Sequence, residues 1–336
     1  MRAGPDALEA SCNDTRYAGQ ADGHYESFFI RANHPTRPLA FWIRYTIFSP
    51  RGAPENAVGE LWAILFRGEG NRHIAAKSET PLSNCAFSAH GLSARIGAAE
   101  LSDGRATGAV AQGVANISWD LRFGGGGPPL FLLPHNLYEK RFPAAKSLVS
   151  RPLARFDGKI VVGDDEIDIE GWTGSQNHNW GRRHTDLYAW GQVAGFDDQP
   201  DTFLEVATAR LKFGPSWTPP ITPVALRRAG REYTCTSLSQ SFRARGDFRC
   251  FEWDFATRDH EVEIAGRISA PREAFVGLAY ANPPGGVKHC LNSKIATCTL
   301  TVRELGSGRV ERLTAQHRAA FEILTDDRSH GVAIVA

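Results

Sequence analysis

The densest concentration of chemically capable side chains lies in the string GWTGSQNHNWGRRHTDLYAWGQVAGF, residues 171–196, where Gly, Trp, His and Asn recur more closely than core packing requires. His178 can orient a water or relay a proton, with Asn179 fixing its ring or bonding a bound molecule. Asn177, Tyr188 and Gln192 add further polar groups. Trp180 and Trp190, with Trp42 and Trp62 upstream, supply aromatic faces that stabilise a cation by about 0.5–2 kcal/mol when desolvated. Carboxyls complete the set, since Asp186, Glu26, Glu170 and Glu205 sit in or near aromatic stretches. A carboxyl facing an apolar cavity keeps its proton near neutral pH, because desolvation disfavours the charged form. Asp186 and Glu26 are the acids expected on this basis.

Each residue also has a plainer use. His178 and Asn179 fit a clamp that ties a strand end to backbone groups. Trp180 and Trp190 fit packing, and Glu26 and Glu205 fit solvated or salt-bridged positions. Other chemistries lack their signatures. There is no Gly-x-Ser-x-Gly elbow and no His-Glu-x-x-His pair, and the glycines at 124–127 lead into Pro128 and Pro129 rather than into a helix. His34 reads as a turn cap, and His289, His317 and His330 lack partners at ligand spacing. The six cysteines show no Cys-x-x-Cys spacing, so neither a zinc site nor a dense disulfide framework is indicated. No metal or organic cofactor is expected.

The elements that must position these groups are strands. Runs of five to ten apolar and β-branched residues recur between Gly, Pro, Asn and Asp clusters, as in residues 25–33, 39–49, 59–67 and 115–123. In residues 39–49, Phe41, Ile43, Tyr45 and Ile47 share one face while Trp42, Arg44, Thr46 and Phe48 share the other, so both faces call for cover. Residues 123–136, rich in Gly and Pro, read as a loop packed by its leucines at the entrance of a ligand site. A hairpin is expected around Gly163, closing the first half. Helical signals are scarce: residues 7–10 are too short to count, and residues 315–324 lean towards strand. Regularly spaced strands with few helices imply closed barrels, which remove exposed edges.

The run Asn177-His178-Asn179-Trp180-Gly181, followed by Tyr188-Ala189-Trp190-Gly191-Gln192, resembles the His-Asn-Trp-Gly segment of the carotenoid 1,2-hydratase (hydroxyneurosporene synthase), AttH-like and tocopherol-cyclase-like superfamily. Residues 25–45 resemble its opening strands, and residues 280–302 resemble its second barrel. The resemblance implies an all-β chain of two tandem lipocalin-like, calycin-type barrels. It also implies acid-catalysed hydration, cyclisation or isomerisation of a terpenoid or polyketide-like lipid in a barrel pocket. Members of that superfamily often carry an acidic residue where this chain has Asn177. An amide cannot act as a general acid at neutral pH, so the acid must come from elsewhere.

At 336 residues the chain is long enough for two domains of about 150–170 residues each. The expected division is a weakly ordered tail over residues 1–22, a barrel over 23–180 and a second over 181–336. With 38 Lys and Arg against 37 Asp and Glu, the net charge of +1 shows no nucleic-acid footprint. An apolar small-molecule ligand fits better. No signal-peptide core or run of about 18 apolar residues occurs, so a cytoplasmic protein with at most peripheral membrane contact is expected. Three functions compete: an enzyme using His178, Asp186 and Glu26, with substrate contacts from Asn177, Asn179, Trp180, Tyr188, Trp190, Gln192 and Trp42; a non-catalytic carrier or sensor of an apolar ligand; and an interaction module recruiting partners through strand edges.

Overall fold

Strands that carry bulky side chains on both faces need a sheet covered on two sides. The computed structural model, which describes residues 5–336, is built from such sheets. The first contains β1 (His24–Asn33), β2 (Leu39–Ser49), β3 (Val58–Arg67), β4 (Ile74–Pro81), β5 (Cys85–Phe87), β6 (Ser93–Ile96), β7 (Ala99–Ser102), β8 (Arg105–Gln112), β9 (Ala115–Gly124), β10 (Leu130–Phe131), β11 (Ala145–Val162) and β12 (Asp165–Gly181). Its spatial order is β4-β3-β2-β1-β12-β11-β9-β8-β7-β6-β5, with β10 beside β11. It curls until β4 lies against β8 and β9.

The second contains β13 (Leu187–Phe196), β14 (Gln199–Arg210), β17 (Val224–Arg228), β18 (Arg231–Cys235), β19 (Arg245–Arg249), β20 (Glu252–Arg258), β21 (Val262–Ser269), β22 (Val276–Ala281), β23 (Val287–Glu304) and β24 (Val310–Thr325). A small hairpin, β15 (Lys212–Phe213) with β16 (Ser216–Trp217), projects from the end of β14. The order is β18-β17-β14-β13-β24-β23-β21-β20-β19, with β22 on β23. The molecule is thus nearly all antiparallel β, a nearly closed barrel and a half-barrel in tandem. Among the described residues no helix is long and apolar enough to cross a membrane.

Side chains fill both interiors. Phe41, Ile43 and Tyr45 point into the first core with Trp119 and Phe156, while Trp253, Phe255 and Phe321 help to fill the second. The opposite face of β1 to β3 is equally buried, because it packs against the outer face of the second barrel. Phe29, Trp42 and Trp62 meet Trp190, Leu278 and Tyr280 there. This third cluster explains why residues 39–49 carry aromatics on alternate faces.

The segment before β1 departs from expectation. Residues 1–4 of the anticipated tail lie outside the described residues. The remainder opens with a helical turn, α1 (Pro5–Ala10), where the short run at 7–10 had suggested none. Leu8 and Cys12 are buried against Phe131, Tyr138 and Trp180. These contacts, with hydrogen bonds to β1 and β12, hold residues 5–22 in place. Residues 315–324 belong to β24.

Candidate active site

Register decides which groups meet. In the antiparallel pair of β1 and β12, Phe28 lies opposite His178 and Glu26 opposite Trp180, whereas Phe29 lies opposite Asn177 and Arg31 opposite Ser175. Paired residues share a face, so β12 splits its polar run between two environments. His178 and Trp180 turn towards the N-terminal segment. Ser175 and Asn177 turn towards the second barrel. On that barrel, Gln192 of β13 is flanked by Glu205 of β14, while Trp190 stands beside Glu322 of β24.

The environment of His178 is closed. Its Nδ1 lies 2.7 Å from the carbonyl oxygen of Cys12 and its Nε2 lies 2.8 Å from Glu26 Oε1. Both partners accept, so the arrangement needs a hydrogen on each ring nitrogen. The ring stacks on Phe28 at 4.2 Å between centroids. Glu26 also accepts from the backbone N–H groups of Arg16 and Tyr17 and from His24 Nε2. Burial alone would raise its pKa, but the hydrogen bonds from His178 and His24 outweigh it and hold the carboxyl at about 2. Glu26 is therefore an anion with its lone pairs engaged, not a proton donor.

A cavity of about 200 Å³ opens between the barrels rather than inside either one. Trp42, Asn177, His178, Asn179, Tyr188 and Trp190 of the anticipated set all contribute to its wall, and Glu205 joins them. The remaining anticipated residues lie elsewhere. Trp180 packs behind β12 with Leu8 and Tyr138. Asp186 accepts from the Lys212 N–H at 3.0 Å and faces Arg183 at 3.4 Å. Glu170 is exposed. Gln192 sits one layer deeper, donating through Nε2 to both Asn177 Oδ1 and Glu205 Oε2 at 2.8 Å.

Glu205 is the carboxyl that burial leaves protonatable. Trp190 Nε1 donates to its Oε1 at 2.7 Å and Gln192 to its Oε2, while Arg31, itself fully buried, donates to Gln192 Oε1 at 2.7 Å. Burial raises the carboxyl; the bonds from Trp190 and Gln192 and the charge of Arg31 oppose it, and it settles at about 7. One lone pair on each oxygen stays open, so an added proton need not break either bond.

Several wall residues were not anticipated. Glu322 pairs with Lys294 at 2.7 Å. Arg44 donates to Ser27 Oγ through two nitrogens and lies 4.5 Å from the Tyr280 ring centroid. His184 stacks on Tyr25 at 4.0 Å and donates from Nε2 to the Ala281 carbonyl, leaving Nδ1 as an acceptor; burial and the charge of Arg44 push its pKa down to about 3. Burial and neighbouring Arg182 lower Lys146 to about 8. A signal for two of the acids exists in the sequence: Glu205 and Glu322 each interrupt an otherwise apolar run, Phe-Leu-Glu-Val and Phe-Glu-Ile-Leu. Two wall residues also carry buried polar atoms without a partner among the described residues, Trp42 Nε1 and Asn179 Oδ1. Among the described residues no group of three or more His, Cys, Asp or Glu is placed to hold a metal ion.

No known protein-family pattern matches the chain. Two uncharacterized proteins of Mycobacterium tuberculosis, from strains CDC 1551 / Oshkosh and H37Rv, are each 24% identical to it over 305 residues, covering 88% of this chain and 88% of theirs. Among solved structures, an AttH-like protein of Nitrosomonas europaea superposes with a TM-score of 0.55 at 13% identity, covering 90% of this chain and 91% of that one. Kievitone hydratase from Nectria haematococca gives 0.53 at 10% identity over 95% and 92% of the two chains. CghA, solved with Sch210972, gives 0.52 at 11% identity over 90% and 89%. The chain shares the overall fold of these three structures, two lipocalin-like β-barrels in tandem.

Proposed function

We propose that the chain is an enzyme of the hydratase, cyclase or isomerase type, acting on an apolar isoprenoid or polyketide-like molecule held between the two barrels, with Glu205 as the acid. The observation that carries this reading is a fully buried carboxyl with a pKa of about 7 on the wall of a pocket rich in Trp and Tyr. Such a group is present in both charge states at neutral pH and serves as donor and then as acceptor. In the forward step Glu205 gives its proton to a carbon–carbon double bond, and the resulting cation lies among Trp42, Tyr188 and Trp190. Water adding to the cation releases a proton that returns to the Glu205 carboxylate. Where the cation instead closes a ring or loses a proton from a neighbouring carbon, the same carboxylate takes it back. Trp42 Nε1 and Asn179 Oδ1 supply an unspent donor and acceptor for substrate oxygen or for the water. His178 and Glu26 serve as the clamp beneath β12, and Asp186 has no part in the chemistry.

The test has two stages. Molecules extracted from protein purified from its own host, and a panel of isoprenoids and polyketides, are incubated with the chain and followed by chromatography and mass spectrometry. The expected products gain one water or elute as isomers. Glu205→Gln should bind the same compound and lose turnover by about 10²-fold or more, and native turnover should fall as pH rises through about 7. A ligand retained unchanged by both proteins would favour a carrier, and undiminished turnover in Glu205→Gln would remove the acid.

A further inference from the structure

Every exposed Phe and Trp among the described residues sits on three segments around one opening. Phe142 is 51% exposed, Phe213 59%, Trp217 39% and Phe242 47%, with Leu238 beside them at 46%. Phe142 and Leu238 belong to the wall of the inter-barrel cavity, so they stand at its mouth. The β15–β16 hairpin follows Leu211, another wall residue, and the Thr218 N–H donates to the Leu211 carbonyl. The third segment is α2 (Leu238–Arg243), opened by a Ser237–Gln240 capping box. It is tied to the wall by the Thr222 N–H donating to the Ser241 carbonyl, next to wall residue Ile221. One helical turn apart, Leu238 and Phe242 share its outward face.

These segments also share a charge. Residues 139–143, 210–217 and 238–245 carry Lys140, Arg141, Arg210, Lys212, Arg243 and Arg245 against the single acid Glu139, in a chain whose overall charge is only +1. Arg210 and Lys212 lie over the Trp217 ring at 5.6 and 5.8 Å. Among the described residues, Arg141 is the one of the six with an ion-pair partner, Asp22, which lies outside these segments. Solvent-exposed aromatics interleaved with cations match the boundary between anionic headgroups and acyl chains, where the rings bury in the interface and the cations meet phosphate. An apolar patch of this kind on a monomer marks an interaction site.

We propose that the cavity mouth docks on an anionic lipid surface, so that a lipophilic ligand passes between bilayer and cavity without crossing water. The positive rim favours phospholipid over a second copy of the chain, whose mouth carries the same charge. This docking does not depend on Glu205 being an acid.

The experiment is co-sedimentation of the full chain with vesicles of phosphatidylcholine alone and of equimolar phosphatidylcholine and phosphatidylglycerol, at low and high salt. Binding should be enriched on the anionic vesicles, weaken as salt rises, and fall on the order of tenfold or more in a Phe213→Ala/Trp217→Ala/Phe242→Ala variant. None of these three residues belongs to the cavity wall. Val114→Ser and Val310→Ser, exposed on hairpins outside the wall, should leave binding unchanged, as should Glu205→Gln. Equal binding to both vesicle types, no binding to either, or undiminished binding by the triple variant would overturn the proposal. Failure on vesicles with a concentration-dependent dimer that the triple variant dissolves would assign the patch to a second copy instead.

Discussion

Glu205 and Glu26 are both buried glutamates, and their neighbours drive them in opposite directions. Glu26 gathers two histidines and two backbone N–H groups, and it stays ionised at about 2. Glu205 has two neutral donors and one buried arginine at second hand, so desolvation wins and the carboxyl rises to about 7. The linkage differs in sign. Below the ordinary value of 4.5, Glu205 is protonated whether the chain is folded or not; between 4.5 and about 7 only the folded chain keeps the proton, so stability falls as pH rises through that window. Glu205→Gln removes this fall. Its unfolding free energy relative to the native chain should therefore grow by about 3 kcal/mol between pH 5 and pH 8, as measured by urea titration. A gap independent of pH would mean that Glu205 titrates as an ordinary carboxyl. The contribution of Glu26 is present above 4.5 and is lost as pH falls through about 2.

The N-terminal segment acts as an element although little of it is helix or strand. Its backbone supplies the Cys12 carbonyl to His178 and the Arg16 and Tyr17 N–H groups to Glu26, and Asn13 Oδ1 accepts from Gln176. Deleting residues 1–18 would strip a buried ion pair of its partners and uncover Trp180. The truncated chain should lose about 3 kcal/mol or more, read as a lowered urea midpoint, whereas an unchanged midpoint would reduce the segment to decoration. Little of this was legible, because the contacts to His178 and Glu26 are made by backbone groups that every residue possesses. Alternation was more informative: Phe41 and Tyr45 against Trp42 and Arg44 on β2 announced a strand covered on both sides, and the regular strand spacing announced barrels. Proximity along the chain misled for Asp186, which follows the His-Asn-Trp-Gly run closely but belongs to the link between the barrels. Glu205 stood among the candidates, yet its partners Trp190 and Gln192 depend on the pairing of β13 with β14, and register is not written in composition.

The two barrels bury their outer faces against each other, which makes the cavity a property of the whole molecule. Domains joined through small polar interfaces move and melt separately. Here the contact contains Trp42, Trp62, Phe66, Trp190 and Leu278, all buried. It also contains buried polar bonds that cross it: the fully buried guanidinium of Arg31 in the first barrel donates to Gln192 in the second, and Asn33 Nδ2 donates to the Lys294 backbone carbonyl at 2.6 Å. Separating the barrels would expose large aromatics and strip the buried Arg31 guanidinium of its bonds to Gln192. The barrels should therefore unfold together, giving one calorimetric transition for the full chain, and a fragment of residues 1–181 should be insoluble or molten. Arg31→Met keeps the volume but removes the cross-barrel bonds and the charge that lowers Glu205, so it should lower the transition temperature and move the pH limb of turnover above about 7. Two resolved transitions in the native chain, or a well-folded isolated first barrel, would show that the barrels are independent folding units.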